Sequence, residues 1–290
     1  MRAFESYHPA VIAASVAAWV GFLMLSTNPI LLALSLLGAI SYLLCRGDGR
    51  RSHLALLLLF LVMTLVNPLV SHNGATVLFF FNQKPVTLEA TIWGAVSAGI
   101  VVAVLLWFFV FSRIMTAERL LCLFGMLSPR LALTLSMALR YVPRFGRQMR
   151  RVNRAQTAMG LYRDDHVVCR MRGGARVFSV MLTWALENGI VTADSMAARG
   201  YGIGRRTHFT VLRFRRTDAM LLILMLLFSS PVAVASFTGR FAVIYYPTVA
   251  MAPIDAWSVV GYAAYGILCL IPTMLEIWEV CRWKFLRSKI

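Results

Sequence analysis

The chain has 290 residues, of which 59% are apolar and only 14% are charged, and its mean hydropathy is +0.72. This leaves too few polar residues to cover a soluble globule of this size, so the composition excludes an ordinary soluble protein and indicates a membrane protein. The formal net charge of +17 is therefore interpreted from where the basic residues lie along the chain, and we expect no nucleic-acid partner.

Six stretches predict membrane-spanning helices, because about 20 apolar residues at a rise of 1.5 Å each cross about 30 Å of hydrocarbon. In chain order they are residues 9–25, 29–44, 54–70, 88–111, 219–237 and 257–280. The second stretch is the shortest, with 16 residues, and if it does not span, residues 9–44 form one hairpin that does not cross fully. The predicted fold class is an all-α, polytopic membrane protein with about six spans.

The orientation of these spans is predicted from the lysines and arginines, because positive charge near short loops stays on the cytoplasmic side. With the N-terminus inside, 27 of the 29 basic residues are cytoplasmic, and only Lys84 and Arg240 lie outside. We therefore expect both termini to be cytoplasmic. The outer loops, near Asn28 and in residues 71–87 and 238–256, are too short to form a binding domain.

This topology divides the chain into three regions. Residues 1–112 form a membrane region with four spans, residues 113–216 form a cytoplasmic region of long helices, and residues 217–290 form a membrane region with two spans. The cytoplasmic region differs from an ordinary loop because it is helical in pattern and rich in both arginine and apolar residues. We therefore expect it to carry the function.

The first long cytoplasmic helix carries a stripe of arginines. A short amphipathic helix over residues 120–127 is followed by Ser128 and Pro129, a typical helix start, and the new helix runs toward Ala158. Pro143 is expected to kink or break it. The arginines recur at steps of three and four along one face, as Arg140, Arg144, Arg147, Arg151 and Arg154. Such a face is solvated, lies against lipid headgroups or docks an acidic protein partner.

The second long helix is expected to start after Gly173 and Gly174 and to continue to about Arg199. Its residues 177–186 are apolar on nearly every side, yet the run is too short to span a membrane. Such a helix has to be buried, so we expect it to pack on the other cytoplasmic helices or on a partner subunit.

Both long helices end in the pattern Ala-x-Gly, about 40 residues apart, as Ala158-Met159-Gly160 and Ala198-Arg199-Gly200. Residues 67–74 read Asn-Pro-Leu-Val-Ser-His-Asn-Gly, residues 87–90 read Thr-Leu-Glu-Ala, and residues 138–143 read Ala-Leu-Arg-Tyr-Val-Pro. With the six-span topology, these motifs resemble the transmembrane (T) component of energy-coupling-factor transporters. Members of that family belong to ABC-type importers of vitamins and metal ions.

The resemblance implies a scaffold that binds two cytoplasmic ABC ATPase subunits and a small membrane protein, the S component. The S component captures the substrate, a vitamin, a cofactor precursor or a transition-metal ion. The chain itself is then not an enzyme and binds no cofactor, since ATP and Mg²⁺ belong to the ATPases. The resemblance also implies a multi-pass protein of a bacterial or archaeal plasma membrane, with the region from Arg113 to Arg216 in the cytoplasm.

Each Ala-x-Gly end is implied to sit in a groove of one ATPase. There Arg199 pairs with a carboxylate, and Gly200 allows a sharp turn and a close approach. Met159 stands where the family has arginine, so the two ATPase contacts are expected to be unequal, although Arg154 is a candidate to replace the missing charge. The supporting residues on this interpretation are Arg151, Arg154, Gln156 and Asp194.

An enzyme is disfavoured because the chain lacks the motifs G-x-x-x-x-G-K-[ST], H-E-x-x-H and G-x-S-x-G. The five cysteines lie far apart, and no residues have metal-ligand spacing, so we predict no disulfide framework and no metal site. His8 and His72 are interpreted as ordinary residues at membrane boundaries.

Two further alternatives stay open. A secondary transporter is disfavoured by the lack of an internal repeat and by the positions of the acidic residues Glu89, Asp255, Glu276 and Glu279. These lie near span ends, where water or headgroups are expected to reach them. The second alternative is a membrane-anchored adaptor that binds soluble partners through the basic helix.

Overall fold

The computed structural model describes residues 4–46, 50–71, 74–81, 84–160, 167–204 and 214–287, and 82% of the structure is helical. A short 3-10 helix, Phe4–Ser6, precedes nine α-helices within the described residues. These are α1 Pro9–Leu25, α2 Pro29–Arg46, α3 Arg50–Val70, α4 Leu88–Ile114, α5 Ala117–Leu127, α6 Pro129–Ala158, α7 Val167–Ala198, α8 Arg216–Phe237 and α9 Ala256–Arg287.

All six predicted apolar stretches are helical, but they differ in length. Four helices, α2, α4, α8 and α9, are long and apolar enough to cross a membrane. The 17-residue α1 and the apolar part of α3, Leu54–Pro68, are shorter. The coarse prediction of a polytopic helical membrane protein is therefore supported, and α2, the shortest predicted span, is among the four.

Contacts divide the chain into two compact units, residues 1–120 with 213–290 and residues 121–212. We call them the membrane unit and the α6/α7 unit. The core of the membrane unit is built around Trp19 and Trp107, whose ring centroids lie 4.2 Å apart. Trp19 Nε1 donates to the carbonyl of Leu268 at 2.9 Å, and Trp107 Nε1 donates to Ser35 Oγ at 2.9 Å. These hydrogen bonds satisfy the buried indoles and connect α1 to α9 and α4 to α2.

Asp218 ties the beginning of α8 to the beginning of α1. Its carboxylate is 3% exposed and accepts hydrogen bonds from the backbone N–H of His8 at 3.0 Å and of Arg215 at 2.8 Å. His8 Nδ1 in turn accepts from the N–H of Ala10 at 3.2 Å and caps α1. A negative charge at two helix N-termini is favourable for both helix dipoles. His8 therefore caps α1, a role that the sequence analysis did not assign to it, and His72 lies outside the described residues.

Two short antiparallel hairpins were missed by the sequence analysis. Strands β1, Val77–Phe81, and β2, Lys84–Thr87, form the first, and β3, Val243–Ile244, and β4, Ala250–Met251, form the second. The phenol of Tyr245, beside β3, donates to the carbonyl of Thr27 at 2.6 Å. Burial raises the pKa of Tyr245 to about 12, so the phenol remains a hydrogen-bond donor at neutral pH.

Glu89 corrects an expectation about the acidic residues. It was expected to be reached by water, but it is only 4% exposed. Its carboxylate accepts from the backbone N–H of Thr76 at 3.2 Å and from Thr76 Oγ1 at 2.7 Å. The side chain therefore holds the segment before β1 onto the first turn of α4.

Two predictions about breaks and boundaries in α6 and α7 can be compared with the structure, and of the predicted kink or break at Pro143 only the break is excluded. Pro143 does not break α6, which is helical from Pro129 to Ala158. Pro143 is exposed, so water can solvate the carbonyl that its missing N–H leaves free. Helix α7 starts at Val167 and not after the glycine pair. A glycine costs a helix about 1 kcal/mol relative to alanine, which a helix of 32 residues tolerates.

Candidate functional site

The first Ala-x-Gly end closes α6 as a helix cap. Helix α6 ends at Ala158, and the N–H of Met159 donates to the carbonyl of Ala155 at 3.1 Å. The N–H of Gly160 donates to the carbonyl of Thr157 at 3.0 Å, and its φ is +87°. Such a φ is costly for a residue with a Cβ, which explains the glycine. We call Ala158, Met159 and Gly160 the first tip.

The second Ala-x-Gly end, Ala198, Arg199 and Gly200, forms the second tip. The N–H of Gly200 donates to the carbonyl of Ala197 and the N–H of Tyr201 to that of Met196, both at 3.0 Å. With a φ of +79° at Gly200, this is the hydrogen-bond pattern of a Schellman motif. The two tips are therefore similar in backbone shape, and each helix ends at a glycine with positive φ.

Both tips are accessible in this chain. Met159 is 71% exposed, and Arg199 is exposed as well. Among the residues that the structure describes, no carboxylate forms a salt bridge with Arg199. A guanidinium on a capped helix end, with its donors directed to water, is chemically suited to pair with a carboxylate or phosphate of another molecule.

Helices α6 and α7 contact each other near their middles. Tyr141 OH lies within hydrogen-bonding distance of Thr192 Oγ1 and donates to the carbonyl of Asn188 at 3.4 Å. Farther along α6, the ring of Phe145 meets that of Trp184 edge to face, with centroids 5.4 Å apart. The partner numbers fall on α7 as they rise on α6, so the two helices run in opposite directions across the contact.

This antiparallel contact places the tips on opposite sides of it. Met159 lies 14 residues after Phe145, and Arg199 lies 15 residues after Trp184. At 1.5 Å per residue, each arm from the Phe145–Trp184 contact to its tip is about 21 Å long. The α6/α7 unit therefore presents two similar exposed ends on arms of nearly equal length.

The supporting residues are arranged less simply than predicted. Arg154 is exposed, but five residues correspond to about 140° around the helix axis, so Arg154 and Met159 project in different directions. Asp194 and Arg199 are separated in the same way on α7. Gln156, half-buried and three residues before Met159, is on the same side of α6 as Met159. Arg154 and Met159 therefore lie on different sides of α6, and the replacement of the missing charge by Arg154 stays a prediction.

The two faces of α6 differ in chemistry. One lines an open cleft of about 410 Å³ between α6 and α7, formed by Ala138, Tyr141, Val142, Phe145, Ala185 and Gly189. The predicted arginine stripe lies about 150° around the axis from this cleft, and its five arginines are exposed. The helix therefore has an apolar face toward α7 and a basic face toward solvent.

Helix α7 exposes much of its apolar surface, so the other cytoplasmic helices cover only part of it. Only Gly173, Val177 and Met181 are buried, on one face at a spacing of four residues. Phe178 is 69% exposed, and Leu182 and Leu186 are exposed as well. Packing of α7 on α6 therefore does not bury these side chains, and a contact with a partner subunit stays a prediction.

The Asn-Pro motif lies in the membrane unit, and its first four residues are helical, whereas Ser71 and Gly74 lie beyond the helix. Asn67 and Pro68 belong to the last turn of α3, which ends at Val70. A Cβ at Gly94 of α4 would lie 2.9 Å from the Cβ of Asn67, so this glycine allows α3 and α4 to approach closely. His72 and Asn73, the next part of the motif, lie outside the described residues.

Among the described residues, no group of three or more His, Cys, Asp and Glu side chains is arranged to hold a metal ion. No protein-family model matches the chain, and comparison with curated proteins finds no match. The architecture itself defines the class, a polytopic α-helical protein with four helices able to cross a membrane.

Proposed function

We propose that the chain is the transmembrane (T) component of an energy-coupling-factor importer, and that the two tips each dock into one of two cytoplasmic ABC ATPases. The observation that supports this most directly is the pair of exposed, glycine-capped tips on opposite arms of about 21 Å. A scaffold for two ATPases needs two similar contact points held apart on a stiff support. The ATPases supply ATP hydrolysis and bind ATP and Mg²⁺, and this chain binds neither.

Coupling on this proposal is mechanical. A helix is stiff along its axis, and the α6/α7 contact joins the two arms through Tyr141, Phe145 and Trp184. When nucleotide binding brings the two ATPases together, each groove moves its tip, and the α6/α7 contact transmits the displacement to the opposite arm. The glycine of each tip has a positive φ, so the chain can turn out of the groove there, and it has no side chain to stand between the helix end and the ATPase.

The exposed apolar surface of α7 and the cleft beside it are the proposed contact for the S component. Phe178, Leu182 and Leu186 form an uncovered surface that a hydrophobic membrane protein could bury. The S component, which is a vitamin, cofactor-precursor or transition-metal-ion carrier on this proposal, would tilt against this surface to release its substrate. The complex is placed in the plasma membrane of a bacterium or archaeon, with α6 and α7 in the cytoplasm.

The first test is co-purification of the tagged chain from its native membrane in a mild detergent, followed by identification of the retained proteins. The wild type is expected to retain ATPase polypeptides and a small hydrophobic protein. Arg199→Glu replaces the proposed cation of the second tip by an anion, so the ATPase signal is expected to fall by at least about tenfold, the loss of one charge-assisted contact.

Arg172→Glu is the matched control, because Arg172 is also an exposed arginine of α7 but lies far from the tip. It should retain the ATPases as the wild type does. If the wild type retains no ATPase, the T-component proposal is wrong. Retention of unrelated soluble proteins that is lost when the arginines of α6 are replaced would instead support the adaptor.

A further inference from the structure

Helix α6 carries an unusual excess of positive charge. It contains seven arginines and neither Asp nor Glu, so its formal charge is +7. Helix α7, which packs against it, is close to neutral, because Glu187 and Asp194 offset two of its three arginines. Most of the excess charge of the two helices therefore lies on α6.

The arginine stripe of α6 is straight, long and accessible. At about 100° per residue its five members fall within about 80° around the helix axis, and at 1.5 Å per residue the distance along the axis from Arg140 to Arg154 is about 21 Å. All five side chains are exposed. An extended anionic surface can therefore contact a guanidinium at every turn of this part of the helix.

The described part of the chain supplies no counter-charge for the stripe. None of its arginines forms a salt bridge with a described carboxylate, whereas Arg46 of the membrane unit pairs with Glu5 at 2.9 Å. Arg144 lies over the ring of Tyr141, with Cζ 6.0 Å from the centroid, and this contact brings no negative charge. Like charges three and four residues apart destabilise a helix. An anionic partner would relieve that repulsion along the whole stripe.

The apolar side chains of the same segment are directed elsewhere. Tyr141 and Phe145 contact α7, on the side of α6 that lies about 150° around the axis from the stripe. A helix that inserts into a bilayer does so through its apolar face. Because that face is used for α7, a partner of the stripe has to bind through charge and hydrogen bonds.

The position of the stripe along the chain favours a membrane surface over an acidic protein. Helix α4, which is long enough to cross a membrane, ends at Ile114, and α6 begins at Pro129. This short connection keeps a membrane surface within reach of the stripe, whereas a soluble protein has to be captured from dilute solution. Clusters of about four to eight basic residues close to a span are typical of contacts with anionic headgroups.

We propose that the arginine stripe of α6 binds the headgroups of anionic phospholipids at the membrane surface. The guanidinium groups donate to phosphate oxygens, for which their forked donors are well suited, while the opposite side of α6 keeps its contact with α7. The contact depends on the fraction of anionic lipid and is weakened by salt, because the charges are exposed. It involves neither tip and needs no ATPase.

The test uses the full chain without its five native cysteines, reconstituted into vesicles of phosphatidylcholine with or without phosphatidylglycerol. Ala155→Cys carries an uncharged fluorophore on the stripe side, because Ala155 is exposed and follows Arg151 by one turn. A phosphatidylcholine with a nitroxide on its headgroup quenches the fluorophore where it lies at the membrane surface. Met149→Cys is the control label, since Met149 is 57% exposed and lies about 160° around the axis from Arg147 and Arg151.

Phosphatidylglycerol is expected to increase the quenching at residue 155 and not at residue 149. Salt at about 1 M should reverse the increase, since it screens exposed charges beyond about 3 Å. The proposal is wrong if phosphatidylglycerol leaves the quenching at residue 155 unchanged or raises it equally at residue 149.

A pair of substitutions identifies the residues responsible. The loss of one basic residue weakens binding to an anionic surface by about fivefold, so Arg147→Gln with Arg151→Gln should lower the ratio of bound to free stripe by about 25-fold. Arg147→Lys with Arg151→Lys keeps the charge and should retain most of the binding. Arg172→Gln with Arg176→Gln is the matched control, because it removes two exposed arginines at the same spacing from α7. It should be quenched as the wild type is, and an equal loss in both Gln pairs would contradict the proposal.

An acidic protein partner is the alternative that the same variants can reveal. If the lipid has no effect, and an acidic soluble protein co-purifies with the wild type but not with the Arg147→Gln, Arg151→Gln variant, the stripe binds a protein and the lipid proposal is wrong. The vesicles contain no ATPase, so the lipid test can fail while the ATPase test of the tips succeeds, and the reverse.

Discussion

Met159 and Arg199 occupy equivalent positions at the two tips but have different chemistry. Both follow the last helical residue and precede a glycine with positive φ. Methionine is flexible and polarisable and can fill an apolar groove, whereas arginine can form a charged pair. If both ATPases offer a carboxylate, the first tip leaves one of them without its cation.

Under the proposed function, the substitution Met159→Arg is therefore predicted to strengthen the contact of the first tip with its ATPase. A regained charge-assisted pair is worth about 1.5–3 kcal/mol, so retention of the ATPases after stringent washing should rise by about tenfold or more. Met159→Leu is the control, because it keeps an apolar side chain of similar size. The measurement is the amount of ATPase that co-purifies per tagged chain, and equal retention by both variants would contradict an ionic role for this position.

Some of these residues could be predicted from the sequence, and others could not. The tip glycines follow from a local rule, since a helix end requires positive φ and glycine supplies it. The burial of Glu89 depends on its hydrogen bonds from Thr76, which lies directly before strand β1. Hydrophobic periodicity alone did not reveal the hairpin that begins there.

At the scale of the elements, the apolar helices were predicted well because their signal is long and continuous. Helix α1 runs from Pro9 to Leu25 as expected, and α5 and α6 are separated at Ser128 as expected. The glycine pair of α7 was wrongly interpreted as a helix start, and Pro143 does not break α6. A single unfavourable residue costs a few kcal/mol at most, and the other hydrogen bonds of α6 and α7 outweigh that cost.

Two glycines, one inside α7 and one at its end, give opposite predictions for a substitution by alanine. Gly174 is exposed, and a Cβ built on it meets no atom within 4 Å. Gly174→Ala should therefore stabilise the helix by about 1 kcal/mol. Gly200 has a φ of +79°, so Gly200→Ala should cost about 1 kcal/mol or more at the second tip.

Hydrogen exchange of the α7 amides provides the measurement. Protection should rise around residue 174 in the first variant and fall between residues 196 and 201 in the second. Equal behaviour of the two variants would mean that Gly200 is not required for the cap. Under the proposed function, only Gly200→Ala should also reduce ATPase retention.

At the scale of the whole molecule, the distribution of charge predicts which surfaces face the cytoplasm. Residues 113–216 carry 19 of the 29 basic residues, and the loop that holds β3 and β4 carries only Arg240. This predicts that the α6/α7 unit is inside the cell and that the β3–β4 loop is outside.

Cysteine labelling checks this topology. In a variant without the five native cysteines, Thr248→Cys should react with an impermeant maleimide in intact cells, because Thr248 is exposed in the outer loop. Ile203→Cys, at a position 88% exposed beyond the second tip, should react only after the membrane is permeabilised. The reverse labelling pattern would show that the orientation is the opposite one. The tips would then lie outside the cell, where the proposed ATPases could not reach them.

The hydrogen bond from His8 to the shared carboxylate of Asp218 can form only late in the synthesis of the chain. The acceptor of the His8 N–H lies 210 residues later in the chain, and the carbonyl that accepts from the Trp19 indole lies 249 residues later. Neither hydrogen bond can form before its acceptor has been synthesised. At about 5–20 residues per second, the first of these delays is about 10–40 s on the ribosome. During that interval α1 has its neighbours α2 and α4 but neither of its partners from α8 and α9. Truncation within the last helix should therefore release the first one, and quality-control proteases would meet the defect at the opposite end of the chain from the mutation.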